Sequence, residues 1–324
     1  MAEHSYFTLD VFTDRIFGGN PLAVFPDASG FDTAQMQAAA RELNLSETVF
    51  VLPPDNPAHT RRLRIFTPAT ELPFAGHPTI GTAHLLATTG DVPLVDQNAA
   101  IVFEEAVGPV PVTVSAEGGE PMAAQLSIAN LPAFGPQVPT RSELAEVLSL
   151  GVEDLAESPS PAAVSCGVPF VFVMLNSLDA LARATLYRDA WARLLAQEWA
   201  PHLYLVTPVG TDRTELRARM FAPAMGIDED PATGAAAAAL AGFLASTEER
   251  SETALQISVQ QGVEMGRPSR IEVGADLAAG EVTGVRVAGQ SVLVARGRMS
   301  IPPATPNVAA ACTSAVGADA CGSA

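Results

Sequence analysis

A chain of 324 residues with 48% hydrophobic content is long enough for two domains of ordinary size with filled cores. Its 36 acidic residues against 18 basic ones give a net charge of −18, which argues against a nucleic-acid partner, since that needs a basic footprint. All 18 basic residues are arginine, and the absence of lysine excludes a lysine Schiff base and a Walker A phosphate loop.

In chain order, residues 6–12 alternate like a strand, and 22–25 form a second after the Gly18-Gly19-Asn20-Pro21 turn. Residues 32–43 predict an amphipathic helix with Met36, Ala39, Ala40 and Leu43 on one face. Residues 48–52 are apolar and β-rich, hence a buried strand, and 101–103 and 110–114 add short ones. Gly and Pro accumulate between 118 and 139 around a strand at 124–128, and the domain crossing is placed there. Residues 142–150 predict a helix, with Thr140 a capping candidate three residues before Glu143. Further helices are expected within 178–199, and strands at 203–207, 216–221, 255–259, 270–273 and 292–296. The expected division is a first domain over 1–122, completed by a strand near 290–302, a second over 123–289, and a flexible tail over 303–324.

No apolar run is long enough to span a bilayer, and the first residues carry no basic and then apolar leader. A soluble, cytoplasmic protein with no membrane partner is expected. Cys166, Cys312 and Cys321 and the five scattered histidines show no metal-ligand spacing, so no metal is expected. The chain also lacks GxGxxG and GxSxG, which weakens nucleotide-binding and serine-hydrolase readings.

One loop-to-helix segment occurs twice. Residues 63–86 and 216–240 each begin with a strand-like run ending in Phe-x-Pro (Phe66–Pro68 and Phe221–Pro223). Each then reaches a polar residue, Pro, two residues and Gly: His77-Pro78-Thr79-Ile80-Gly81 and Asp230-Pro231-Ala232-Thr233-Gly234. A second pair, Gly19 to Phe25 and Gly167 to Val173, keeps a similar offset of roughly 150 residues, too long for a solenoid and suited to two similar domains. Proline at a first helical position makes His77 and Asp230 N-cap candidates, and the exposed helix-start amides attract anions. Both helix starts could face one cleft. Taken singly, each segment also reads as an ordinary capped helix.

Without lysine, metal or cofactor, carboxylates and histidine are left for proton chemistry. Glu47, in Leu45-Ser46-Glu47-Thr48, lies between a helix and an apolar strand, where desolvation raises a carboxyl pKa towards the operating pH. It also reads as a solvated Glu at a strand start.

Together, in order, several motifs resemble the phenazine-biosynthesis PhzF family: Asp10-Val11-Phe12-Thr13, Phe17-Gly18-Gly19-Asn20-Pro21, Leu45-Ser46-Glu47-Thr48, the two pentads, and Gln261-Gly262 leading to Gly266-Arg267-Pro268-Ser269. The resemblance runs from Asp10 to about Pro302. It implies an α+β protein of two similar pseudo-symmetric domains with the diaminopimelate-epimerase and proline-racemase fold. Each domain would be a curved, mostly antiparallel sheet around a central helix. It further implies a homodimer, no cofactor, and a small-molecule carboxylate substrate. Glu47 would be the acid/base, His77 and Asp230 its catalytic supports. Gly76, Thr79, Gly81, Thr233, Gly234 and Ala235 would bind substrate. Ala75 and Pro231 stand where the racemases carry thiols, so a two-thiol mechanism is not expected. Ala235 stands where the resembled phenazine isomerase has Ser, which removes a hydroxyl from the site. The leading reading is a cofactor-independent isomerase moving a proton on a small cyclic carboxylate. Alternatives are a carbon–carbon bond hydrolase or tautomerase acting on a pyrroline-type carboxylate, or a non-catalytic anion-binding protein.

Overall fold

The computed structural model describes residues 2–211, 214–247 and 253–303. In chain order the first stretch comprises β1 (Ala2–Val11), β2 (Asn20–Phe25), α1 (Thr33–Leu43), β3 (Glu47–Leu52), β4 (Arg61–Phe66), β5 (Glu71–Leu72), α2 (Gly76–Thr88), β6 (Asn98–Glu105), β7 (Gly108–Glu117) and β8 (Glu120–Ser127). The next comprises β9 (Ala133–Phe134), α3 (Arg141–Leu148), β10 (Ala162–Ser165), β11 (Pro169–Met174), α4 (Leu178–Arg183), α5 (Arg188–Leu194), β12 (His202–Pro208), β13 (Glu215–Ala222), β14 (Ile227–Asp230), α6 (Gly234–Thr247), β15 (Ala254–Gln261) and β16 (Ser269–Ala278). A single long strand, β17 (Glu281–Ile301), closes the chain's described part.

One order of pairing occurs twice. β1 pairs antiparallel with β2, β2 runs parallel to β3 across α1, β3 pairs antiparallel with β4, and β4 runs parallel to β6 across α2. The same succession recurs as β10 with β11, β11 with β12 across α4 and α5, β12 with β13, and β13 with β15 across α6. In the first stretch the neighbours continue through β6, β7 and β8 to β17, which pairs back onto β1 and closes a ring. The protein is α+β, with parallel pairs only where a helix makes the crossover.

The two crossover helices explain the core. α2 packs against β1, β2, β3, β7, β8 and β17, and α6 against β10, β11, β15, β16 and β17. A helix hydrophobic all round must be buried all round. Residues 77–87 of α2 and the alanines of α6 from Ala236 onward are buried, and one apolar cluster runs through both helices. The remaining helices are two-faced and cover the outside. α1 sits over Phe25 and Phe50, whose stacked rings lie 5.0 Å apart, and α3, α4 and α5 share a separate cluster.

Capping boxes start α1 at Asp32 with Gln35 and α3 at Thr140 with Glu143. The expected caps at His77 and Asp230 are corrected by the structure. α2 begins at Gly76, with Ala75 in extended conformation as an N-cap that makes no side-chain bond, so His77 already lies in the first turn. Asp230 ends β14, four residues before α6 begins at Gly234. Pro78 and Pro231 thus do not mark the first helical residue. The strand expected at 292–296 belongs to the 21-residue β17. Of the expected tail over 303–324, residues 304–324 lie outside the described residues.

Candidate active site

Glu47 is the first residue of β3, paired in parallel with Leu22 of β2. Because His77 sits in the first turn of a helix buried under this sheet, its ring points at the strand start. Nε2 of His77 lies 3.2 Å from Oε2 of Glu47, with side chains 8% and 15% exposed. The distance is within hydrogen-bond reach but the angles are not, and both atoms are without a hydrogen-bond partner among the described residues. Two buried polar atoms left open side by side are unusual and mark a place for a third group.

Burial pushes the Glu47 carboxyl up to about 8, with the negative charge of Asp230 adding to the effect. Burial drives His77 down to about 3, against a hydrogen bond to the Pro21 backbone carbonyl that favours the protonated ring. At neutral pH the pair is therefore a mostly protonated carboxyl facing a neutral imidazole. With the other ring nitrogen donating to Pro21, Nε2 presents its lone pair to Glu47.

Asp230 reaches the same locality from the other end of the chain and is 9% exposed. Its Oδ1 accepts from Asn20 Nδ2 at 2.9 Å and its Oδ2 from Thr233 Oγ1 at 2.5 Å. Burial raises its carboxyl to about 6, while the Thr233 and Asn20 bonds restrain the rise and neighbouring Glu229 adds to it. Gln261, fully buried at the end of β15, braces the pentad. Its Nε2 donates to the Asp230 carbonyl and to Thr233 Oγ1, and its Oε1 accepts from Thr233 N and Tyr204 OH. Desolvation, aided by Asp230, holds the Tyr204 hydroxyl far above its usual range, so it acts only as a neutral donor.

The remaining site expectations separate. Gly76 is half-buried, and a Cβ added there meets nothing within 4 Å. Thr233 and Ala235 are likewise half-buried beside the pentad, whereas Gly234 is buried with Phe12 against it. Thr79 turns elsewhere, its hydroxyl 2.7 Å from both the Ala75 carbonyl and Glu105 Oε1. Gly81 serves packing, since a Cβ there would stand 2.6 Å from side chains of Leu22 and Val11. Asn20, Ser46, Gln261 and Tyr204 are not among the expected site residues. Asn20, Ser46 and Gln261 lie inside motifs that carry the family resemblance, with no spacing that marks them as site residues, and Tyr204 carries no local signal.

Behind the pentad the two stretches of chain are clamped. Arg267 donates to Asp10 Oδ1 at 2.5 Å and to the carbonyls of Gly18 and Gly19 at 2.7 and 2.9 Å. Gly262 adopts φ +72°, and a Cβ there would stand 2.5 Å from the Arg267 carbonyl oxygen and 2.6 Å from that of Pro231. A cavity of about 910 Å³, lined by Thr13, Arg15, Arg217, Ser269 and Arg270 among others, lies beside this clamp and includes none of Glu47, His77 and Asp230. Chemistry is better sought at the open polar pair than in the larger hollow. Among the described residues no group of three or more His, Cys, Asp and Glu is placed to hold a metal ion. Nor is any described helix long and apolar enough to cross a membrane.

The family model PhzC-PhzF, phenazine biosynthesis-like protein, matches residues 9–297. An uncharacterized isomerase of Mesorhizobium japonicum is 41% identical over 309 residues, covering 93% of this chain and 100% of its own. The trans-2,3-dihydro-3-hydroxyanthranilate isomerase of Pseudomonas fluorescens is 38% identical, with 91% of this chain and 98% of its own covered. A solved Bacillus anthracis phenazine biosynthesis protein of the PhzF family is 26% identical and superposes with a TM-score of 0.83, covering 93% of this chain and 100% of its own. With a family match across nearly the whole chain and isomerases among its relatives, the chain belongs to the PhzC-PhzF family and is a PhzF-like isomerase.

Proposed function

We propose that Glu47 moves a proton between two carbons of a small cyclic carboxylate, with no cofactor. The observation that carries this reading is the open pair of Glu47 Oε2 and His77 Nε2, 3.2 Å apart and without hydrogen-bond partners among the described residues. In its ionised form Glu47 takes a proton from a carbon next to an unsaturated system. The electron pair left on that carbon delocalises into the system, and Glu47 returns the proton at another carbon. Substrate and product have the same mass. A carboxyl titrating at about 8 suits both directions near neutral pH, because it holds and gives up the proton at little cost.

His77, neutral, takes a hydrogen bond from the substrate or from protonated Glu47. The amides at the start of α2, beside the open space at Gly76, favour the substrate carboxylate and the charge that develops on it. Asp230 contributes a fixed negative charge that keeps the Glu47 proton from leaving too easily. Relatives named as acting on trans-2,3-dihydro-3-hydroxyanthranilate support a substrate of that size and charge. Ala235 supports a different ring substituent from theirs, as no hydroxyl is offered at that position. The reading includes two related halves, 1–122 completed by a strand near 290–302 and 123–289, meeting at the site, and a homodimer, both implied by the family resemblance.

The test is incubation with a panel of cyclic carboxylates in heavy water, followed by mass spectrometry of wild type and Glu47→Gln. The isomerase reading expects carbon-bound deuterium from wild type alone and no loss of a fragment. A product of lower mass would replace it with the hydrolase reading. Equal exchange by both proteins would remove Glu47 from the chemistry.

A further inference from the structure

Asn20 is the second residue-level link between the two stretches of chain, and unlike the Arg267 clamp it touches the site itself. It is 1% exposed and opens β2, two residues before the Leu22 that pairs with Glu47. Both hydrogens of its amide are committed across a sequence separation of about two hundred residues: Nδ2 donates to Asp230 Oδ1 at 2.9 Å and to the Ala232 carbonyl at 3.0 Å. Its Oδ1 accepts from Ser46 Oγ at 2.7 Å, and Ser46 is the residue before Glu47. The orientation of the amide is fixed by these partners. Turned over, its oxygen would face a carboxylate and a carbonyl, two contacts with no proton between them.

We infer that Asn20 is a positioning residue, whose amide sets the Asp230 carboxylate at a fixed place relative to the strand start that carries Glu47. This rests on the reading of Glu47 as the acid/base. Three features separate it from a general structural crosslink. The amide reaches both carboxyl-bearing segments at once. Its donors are spent on Asp230 and the residue two further on, so the pentad is held by side chain and backbone together. And with Thr233 on the other oxygen, both Asp230 oxygens are donor-bound, which favours the ionised acceptor. Asp230 is thereby kept out of proton transfer and acts as a charge. The titratable groups around it are Glu47 from β3, Tyr204 from β12 and Glu229 from β14, with neutral His77 meeting it only through Glu47.

The experiment is an infrared difference titration of the carboxyl bands, with the Asp230 band assigned by subtraction of Asp230→Asn. Losing one donor to a carboxylate costs its ionised form roughly tenfold. Asn20→Ala is therefore expected to move the Asp230 titration, about 6 in wild type, upward by about one unit, while Ser46→Ala, which leaves both donors in place, moves it by less than about a third of that. If Asn20→Ala does not fold, wild-type protein answers the same question. The side-chain amide protons of Asn20, followed by ¹⁵N NMR, are expected to shift with the titration of Asp230. An Asp230 titration unchanged in Asn20→Ala, or Asn20 amide signals flat with pH, overturns the assignment. Neither measurement needs a substrate. A wild type without isomerase activity would overturn the proposed reaction and leave the positioning of Asp230 by Asn20 to stand or fall on its own titration.

Discussion

Asp10 and Arg267, at opposite ends of the chain, meet in a salt bridge whose carboxylate is only 4% exposed. Each oxygen of Asp10 has its own donor, Arg267 on Oδ1 and the backbone N–H of Phe17 on Oδ2 at 2.6 Å. Two more of the guanidinium's hydrogens go to the carbonyls of Gly18 and Gly19. One ion pair thus fixes the turn before Asn20 to the turn after Gln261.

Removing the cation should leave a buried carboxylate with half its donors. Arg267→Ala is expected to lower unfolding stability by about 3 kcal/mol, because an uncompensated buried charge costs more than the pair was worth. The exposed pair of Arg298 and Glu3 is the control, where Arg298→Ala should cost less than about 0.5 kcal/mol. Urea denaturation of both variants makes the comparison, and equal losses would mean the clamp is no stronger than a surface pair.

If Glu47 acts first as a base, only its ionised form turns over. The kcat/KM profile should then rise with pH and level off above about 8. Glu47→Gln should retain less than about a thousandth of wild-type turnover, as befits loss of the group that handles the proton. A profile already flat from about pH 5 upward, near an ordinary carboxyl value, would show that the buried environment does not govern the reaction.

The same carboxyl has a thermodynamic signature. Its folded pKa of about 8 lies above the ordinary 4.5, so the proton is bound more tightly in the folded protein. The stability this contributes is complete below about 4.5 and is lost as pH rises through about 8. Glu47→Gln has no proton to lose. Relative to wild type it should gain about 5 kcal/mol between acid and alkaline pH, read as the difference between two denaturation series.

Much of this is legible from local pattern. The spacing of Met36, Ala39, Ala40 and Leu43 announces α1, Thr140 with Glu143 announces α3, an apolar β-rich run marks β3, and alternation marks β12 and β15. The Glu47 and His77 motifs identify residues that do meet. What failed were features without a local cause. β17 is long because three neighbours in turn pair with it, and glycines at 284, 289 and 297 interrupt its pattern. Proline suggested helix starts at Pro78 and Pro231, but α2 begins earlier and α6 later, where packing inside the sheets allows. The bond between Asn20 and Asp230 joins residues 210 apart, and no spacing rule reaches that far.

His77 offers a direct check on the electrostatics. Its value near 3 means that the ring stays neutral through the whole working range. Imidazole resonances of His77, assigned against His77→Asn, should show no ring-protonation shift between about pH 5 and 9, only the smaller displacement imposed by the titration of Glu47 near 8. Movement centred near 6.5 would show that the ring is solvated, contrary to its 8% exposure.

Gly262 tests whether the pentad depends on the turn behind it. Any side chain there must adopt a left-handed backbone and collide with the carbonyl oxygens of Arg267 and Pro231. Gly262→Ala should cost about 2 kcal/mol and lower turnover, whereas Gly266→Ala, at the same φ of +72° with nothing within 4 Å, should cost only the backbone penalty of about 1 kcal/mol. Similar effects at both positions would place the whole cost in the backbone.

In the β1–β17 pairing, Ala2 stands opposite Ile301 and Val11 opposite Ser291. On the ribosome, then, β1 emerges long before β17, the partner it waits for. Until residue 291 has been made, β1 keeps one unpaired edge and the ring around α2 stays open, exposing apolar surface that invites pairing with other chains. A nascent chain cut short anywhere before that point is not a smaller working enzyme but a sheet with its seam undone.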